Sequence, residues 1–398
     1  MLLGILLLVA GCPRPPQVEQ APLRREGLPT IRVRISSGPS IPLATTGGYR
    51  LLADDRLLVS SMGPLPSGQL TRSGRAWKIH GAAYSADRLT LEGVGRSFVR
   101  VGPTSYRGRV LFLPSPTEGV LAVNHLDLES YLAGVLGREL YAYWSLTTYK
   151  AQAIAARTYA LYEQATFGAQ HPYDLCDDQS SQVYGGFSAE TDKAWRAVRE
   201  THGMVLAAGP AGREKIFRAH YSACCGGRTN NVYVLYGPRV DSGPLVGGVV
   251  CADCQACERY RWAPVSVPKE VIQRALSRCY QQAPALGAVQ AVEVVEELDG
   301  RPVWINVMGR NRQQLRIRAE DLRLALLRDP TSGVRGLYSM NCRLHDRGRS
   351  IVFEDGRGFG HGVGLCQWGA EAKARRGMTV EQILSIYYPG ARLFQAYP

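Results

Sequence analysis

Apolar and polar residues alternate in short runs from Ile31 to about Leu113, as in Ile31-Arg-Val-Arg-Ile35 and Leu89-Thr-Leu-Glu-Gly-Val94, with Gly, Pro and Ser between the runs. A period of two turns every second side chain to the same face, so this stretch predicts half-buried strands. The pattern changes at Gly119-Val-Leu-Ala-Val-Asn124, a continuous apolar run that reads as a buried strand. Leu128, Tyr131, Leu132, Val135 and Leu136 then follow the three-and-four spacing of a helix, with Asp127 as its N-cap and Gly137 as its stop. Ser145-Leu-Thr-Thr148 supplies hydroxyl caps for a second, alanine-rich helix reaching about Thr166, and a third is predicted from Glu190 to about Thr201. Glu139 falls at the junction of the first two helices. A carboxyl group held by two helices can project into a cleft without moving, which general acid catalysis requires.

Beyond residue 201, Lys215-Ile-Phe217 and the run from Ala219 to Ala223 read as strand leading into a Gly226-Gly227 turn. Alternation returns over residues 292–318, and Thr379-Val-Glu-Gln382 is a capping box for a last helix that Pro389-Gly390 stops. Strands and helices occur in separate groups, so the predicted class is α+β, with a β-rich N-terminal region over 30–104 and a mixed α+β core over 105–398.

With 398 residues, 45% hydrophobic and 20% charged, the chain is long enough to bury a substantial core and reads as globular. A formal charge of +13 suits an anionic partner: a nucleic acid, anionic lipid or a carboxylate-bearing polymer. Charge alone does not choose among them, but the clusters Arg24-Arg25 and Arg375-Arg376 are too short for a nucleic-acid patch. Residues 2–10 are apolar yet too few to span a bilayer, and Leu8-Val-Ala-Gly-Cys12 resembles the lipobox of bacterial lipoproteins. That resemblance implies a signal peptide over 1–11, lipid on the sulfur of Cys12, a tether over 12–29 and an extracytoplasmic place in the cell envelope, with no nucleic-acid partner. A truncated ordinary signal peptide or an internal start is the alternative, because no Lys or Arg precedes the apolar run.

Besides Cys12, cysteines stand at 176, 224, 225, 251, 254, 257, 279, 342 and 366, an odd set that leaves at least one thiol free or metal-bound. Cys224-Cys225 with Cys251-Ala-Asp-Cys254-Gln-Ala-Cys257 admits two disulfides or a zinc site made by Cys225, Cys251, Cys254 and Cys257, with an iron–sulfur centre as a remoter option. Cys366 reads as a small buried residue.

Four segments in order carry a resemblance to a known family: Tyr131 to Glu139 with Lys150-Ala-Gln-Ala-Ile-Ala-Ala-Arg-Thr-Tyr159; Gln182-Val-Tyr184; Ser222-Ala-Cys-Cys-Gly-Gly-Arg-Thr229; and Gly356-Arg-Gly-Phe-Gly-His-Gly-Val-Gly-Leu-Cys-Gln-Trp-Gly-Ala370 with Tyr387-Tyr-Pro-Gly390. Together they resemble the stage II sporulation protein D (SpoIID/LytB) family over about residues 105 to 395. The resemblance implies lytic transglycosylation of peptidoglycan glycan strands, with Glu139 as the catalytic acid. One carboxyl group suffices in such a reaction, since the muramic acid's own 6-hydroxyl attacks its anomeric carbon. The same carboxyl group protonates the leaving oxygen and then takes the hydroxyl's proton. Such an acid profits from apolar neighbours, which Tyr141, Tyr143 and Trp144 are placed to supply.

Lys150 and Arg157, two turns apart on one helix face, and Tyr159 are candidates for holding Glu139 or contacting sugar; helix packing and surface ion pairs are the alternative. Gln182, Tyr184, Ser222, Gln367, Trp368 and Tyr387 complete the substrate-binding candidates, the aromatic ones as stacking platforms. His361, framed by glycines, is a binding candidate without an assigned proton transfer. The family resemblance also implies zinc near the glutamate through one His and two Cys. His171 and Cys176 match, whereas Ser181 stands at the second Cys, so that zinc site is either lost or completed by Asp177 or Asp178. Expected partners are glycan strands, a cell-wall amidase, since LytB-type relatives are enhancers of one, and a membrane through the lipid anchor. A non-catalytic wall-binding or amidase-enhancing role is the competing reading.

Overall fold

The computed structural model describes residues 25–237, 242–310 and 313–398. The expected signal peptide, Cys12 and the tether up to residue 24 lie outside the described residues. Eight helices are described: α1 (Leu128–Glu139), α2 (Leu146–Ala165), α3 (Asp192–Glu200), α4 (Tyr233–Tyr236), α5 (Lys269–Cys279), α6 (Ala319–Arg328), α7 (Gln367–Arg375) and α8 (Val380–Tyr387). With several separate sheets they make the chain α+β, as the grouping of strand and helix patterns predicted. The described residues form two compact units, the first made by residues 25–219 with 379–381 and 391–398, the second by 220–378 and 382–390.

In the first unit, the period-two runs become two sheets. A seven-stranded sheet has the order Leu175–Cys176, Thr30–Gly38, Gly119–Asp127, Arg109–Ser115, Leu89–Gly93, Tyr49–Ala53, Arg56–Ser61. A six-stranded sheet runs from Thr104–Tyr106 through Ser40–Thr45 to Ala82–Ser85. Strands from before residue 104 pair directly with Arg109–Ser115 and Gly119–Asp127, so the seam anticipated there runs through continuous hydrogen-bonded sheet. The apolar strand Gly119–Asp127 delivers the chain to α1 at Asp127, whose side chain accepts the Ser130 N–H at 2.8 Å and caps the helix. Ser145 caps α2 by accepting the Thr148 N–H. Both helices are packed into the core: Tyr131, Leu132, Val135 and Leu136 of α1 and Ile154, Ala155 and Ala156 of α2 have no exposed surface.

The second unit has its own apolar core, where Ile272 and Leu276 of α5 and Leu322 and Leu326 of α6 pack with Ile305 and Phe353. Its strands include the antiparallel set Val289–Leu298, Arg301–Gly309, Gln314–Arg318, the alternation predicted over 292–318. A short parallel pair joins Tyr221–Ser222 to Leu365–Cys366. That pair ties the Cys224-Cys225-Gly-Gly turn to the glycine-framed His361 segment.

Candidate active site

Glu139 is the last residue of α1, not a residue beyond its end. Gly137 lies inside the helix with a helical rather than a left-handed φ, so it is no C-cap. A Cβ there would sit 1.8 Å from the carbonyl oxygen of Ala189, and one on Gly134 would sit 2.6 Å from the Tyr184 ring. The two glycines, close to one turn apart, are a smooth strip that admits the 184–189 backbone against the helix.

What arrives on that strip is the Gln182-Val-Tyr184 segment. Gln182 and Tyr184 are buried, as alternate residues of an extended segment are on one face. The Tyr131 hydroxyl donates to Gln182 Oε1 at 3.0 Å, Gln182 Nε2 donates to the Ala156 carbonyl at 3.3 Å, and the Tyr184 hydroxyl donates to Asn124 Oδ1 at 3.0 Å. Tyr184 also packs its ring 5.0 Å from that of Tyr131. Between these anchors, Val183 turns its backbone N–H to Glu139 and donates to Oε1 at 3.0 Å. Gln182 and Tyr184, expected to touch substrate, instead hold the donor that positions the candidate acid.

The chain beyond Glu139 is pinned as well. Trp144 is buried, the Tyr149 hydroxyl donates to the Tyr141 carbonyl at 3.2 Å, and Lys193 Nζ donates to the Trp144 carbonyl at 2.8 Å. Tyr141 and Tyr143 are exposed and stacked, their ring centroids 5.4 Å apart. The anticipated apolar wall therefore divides into a buried anchor, Trp144, and an exposed aromatic pair, while Glu139 itself is half-buried.

Other candidates on α2 take different roles. Arg157 has no exposed surface and binds Glu129 in bidentate fashion, Nε to Oε1 at 2.8 Å and Nη2 to Oε2 at 2.7 Å, with Nη1 on the Met204 carbonyl at 3.0 Å. It is a core ion pair, with no face left for sugar or for Glu139. Lys150 pairs with Glu200 near the surface. Tyr159 is buried, with the Arg218 guanidinium 5.6 Å from its ring centre.

The zinc site implied near Glu139 does not fit the residues present. His171 Nδ1 bonds the Phe167 carbonyl at 2.8 Å and its ring stacks on Phe167 at 3.7 Å, which ties it to the end of α2. Cys176 is buried on the edge strand, where desolvation raises its thiol, and its N–H donates to Ser181 Oγ at 3.1 Å. Among the described residues, neither joins a cluster of three metal-capable side chains. Asp177 is pushed up to about 6, by burial first and then by neighbouring Asp178. Asp174, another acid nearby in sequence, is consumed by Arg32, whose N–H and guanidinium donate to it at 2.6 to 3.0 Å.

In the second unit, His361 Nδ1 accepts the Val363 N–H at 3.0 Å, and its ring meets that of His220 edge-on at 5.3 Å. Desolvation lowers His361 to about 4, so it is neutral at pH 7 and acts as a hydrogen-bonding group. Ser222 is buried beside Gly360, Gln367 is buried at the start of α7, and Trp368 is half-buried with its N–H on the Ala223 carbonyl at 3.1 Å. Tyr387, expected to stack on sugar, is buried with its hydroxyl 3.1 Å from Cys251 Sγ. Nine cysteines are free among the described residues. The four whose sulfurs converge are Cys225, Cys251, Cys254 and Cys366; Cys257 is not among them. Spacing along the chain favoured Cys257, while the parallel strand pair brings in Cys366 from far away. A polar cavity of about 530 Å³ opens beside the Gly226-Gly227 turn, where Arg228, Arg301, Arg343 and Arg357 outnumber Asp299 and Asp355.

Sequence reasoning missed the Val183 N–H, a backbone group that no side-chain pattern announces, although the alternation of Gln182 and Tyr184 around it was the available signal.

The carboxylate at the end of α1 and the buried Gln-x-Tyr segment that meets it lie in the stretch that a family model matches. The family model described as stage II sporulation protein, SpoIID, matches residues 117–207, which hold α1, α2, Gln182-Val-Tyr184 and α3. Over that stretch the chain is similar to the SpoIID family. It is 28% identical over 304 residues to an uncharacterized protein of Brachyspira hyodysenteriae, covering 76% of this chain and 73% of that one. It is 27% identical over 290 residues to the stage II sporulation protein D of Bacillus subtilis, covering 69% and 76%. Against the amidase enhancer of Bacillus subtilis, identity is 24% over 295 residues, covering 66% of this chain and 40% of the enhancer.

Proposed function

We propose that this protein works on the bacterial cell wall as a lytic transglycosylase of peptidoglycan, acting outside the cytoplasm and held to the membrane by lipid on Cys12. Glu139 protonates the glycosidic oxygen between N-acetylmuramic acid and N-acetylglucosamine and then accepts the proton of the 6-hydroxyl that closes the anhydro ring. The observation that carries this reading is the Val183 N–H bond to Glu139 Oε1 at 3.0 Å, made from a segment locked by Gln182 and Tyr184. A carboxylate fixed to that degree is preorganised for proton transfer. Tyr141 and Tyr143, exposed, stacked on each other and just beyond Glu139 in the chain, offer a flat apolar surface for a sugar ring.

The test is digestion of glycan strands stripped of stem peptides by the purified full-length chain. The expected products end in 1,6-anhydro sugars without new reducing ends. Glu139→Gln should slow cleavage by about 10²- to 10⁴-fold, the usual contribution of a general acid, while sedimentation with sacculi is kept. Reducing ends in place of anhydro ends would refute the lyase and point to a hydrolase with a second carboxyl group, for which Asp177 has the raised pKa. The similarity to an amidase enhancer supports a second reading, a wall-binding protein that stimulates a separate amidase. That reading predicts no glycan cleavage and no effect of Glu139→Gln on amidase stimulation.

A further inference from the structure

Cys225, Cys251, Cys254 and Cys366 are all buried, and their sulfur atoms lie within 4.8 Å of one another. Sγ of Cys225 and Sγ of Cys254 are 3.7 Å apart. A zinc ion about 2.3 Å from each of four thiolates in a tetrahedron sets the sulfurs about 3.8 Å from one another. Disulfides would join sulfurs in pairs and give no reason for four to face a common point. The surroundings suit thiolates. The Cys225 N–H donates to Cys366 Sγ at 3.3 Å, and the Tyr387 hydroxyl is 3.1 Å from Cys251 Sγ, placed to donate to it. These are the outer hydrogen bonds that orient metal ligands. Gly369 leaves the room: a Cβ there would sit 2.3 Å from Cys251 Sγ and 2.1 Å from the Tyr387 oxygen. Arg301, buried, donates to the carbonyl oxygens of Cys225 and Arg228 and brings a positive charge against the cluster.

We infer that Cys225, Cys251, Cys254 and Cys366 hold one structural zinc ion, which clasps the Cys224-Cys225-Gly-Gly turn to the strand leading into α7. The site is independent of the proposed glycan chemistry. Binding displaces one proton from each thiol, so four protons leave per zinc and the filled centre carries a net charge of −2, opposed by the Arg301 guanidinium. Four protein ligands close the coordination shell and leave no position for a substrate or a reactive water, so the ion serves the fold. Its consequence is local: Cys366 directly precedes Gln367 and Trp368, and its strand partner is Ser222. The clasp thereby fixes two of the segments that carry the family resemblance.

The full-length chain, purified without chelator, should contain one zinc per molecule by elemental analysis. Cys366→Ser and Cys251→Ser should each abolish stoichiometric zinc, whereas Cys257→Ser and Cys279→Ser should retain it. Because ligand variants can fail to fold, the wild type provides a second measure. Cys225, Cys251, Cys254 and Cys366 should resist alkylation until a strong chelator is added, then react together, while exposed Cys279 reacts at once. Cobalt in place of zinc should give the absorption of a tetrahedral four-thiolate complex. Disulfides linking these four cysteines with no metal present would overturn the site, iron in place of zinc would overturn the assignment of the ion, and zinc lost from Cys257→Ser but kept in Cys366→Ser would overturn the ligand set.

Discussion

Arg157 shows how little a residue's type says about its task until its surroundings are known. Its guanidinium is fully buried and bound to both oxygens of Glu129, which also accepts the hydroxyl of Tyr397. Two buried charges satisfied in this way contribute modestly as a pair, but removing one strands the other in a medium that cannot solvate it. Arg157→Leu and Glu129→Gln should each lower stability by about 3 to 5 kcal/mol, read from the shift of a urea denaturation midpoint. The double variant Glu129→Gln/Arg157→Leu should lose less than the sum of the two single losses, because it leaves no orphan charge. Additive losses would mean that the two residues act separately. Lys150, two turns earlier on the same helix, is paired at the surface with Glu200, so a shared helical face does not give a shared environment.

At the scale of elements, what was legible depended on whether the signal was local. The cap at Asp127, the three-and-four spacing of α1 and the hydroxyl cap of α2 are written in adjacent residues, and the structure has all three. Gly137 reads as a helix stop because a C-cap glycine and a close-contact glycine look alike in sequence; Ala189, distant in the chain, decides for the close contact. The Gln-x-Tyr segment was placed at the site, but its work is to deliver the Val183 N–H rather than side chains. In sequence Cys366 reads as no more than a small buried residue, because its three partners lie more than a hundred residues away, across the parallel strand pair. These facts give the glycine strip of α1 a testable role. Gly137→Ala forces a methyl group into the Ala189 carbonyl, so either the helix or the 184–189 backbone must retreat. The expected cost is about 1 to 3 kcal/mol, with a loss of glycan cleavage larger than at an exposed α1 position such as Arg138→Ala, since Glu139 follows two residues later. Unchanged activity with a lowered denaturation midpoint would separate packing from the positioning of Glu139.

Across the whole molecule, the surplus of positive charge is the property that no single site explains. A formal +13 over 398 residues creates an attraction that reaches about 10 Å at 0.1 M salt and about 3 Å at 1 M. The cavity beside the Gly226-Gly227 turn concentrates part of that surplus, with four arginines against two aspartates. The carboxylate-bearing glycan proposed above is the kind of polymer such a surface attracts in bulk, before any contact with individual sugar rings. Attraction of that kind is screened by salt, whereas contacts of rings and buried hydrogen bonds are screened far less. Sedimentation with sacculi should therefore weaken severalfold as sodium chloride rises from about 0.05 to about 0.5 M. Glu139→Gln should follow the same salt dependence, because it changes one charge among many, and sacculi with amidated carboxyl groups should retain less protein at low salt. Binding that ignores both salt and amidation would place recognition in the aromatic and hydrogen-bonding surfaces and leave the net charge without a part in it.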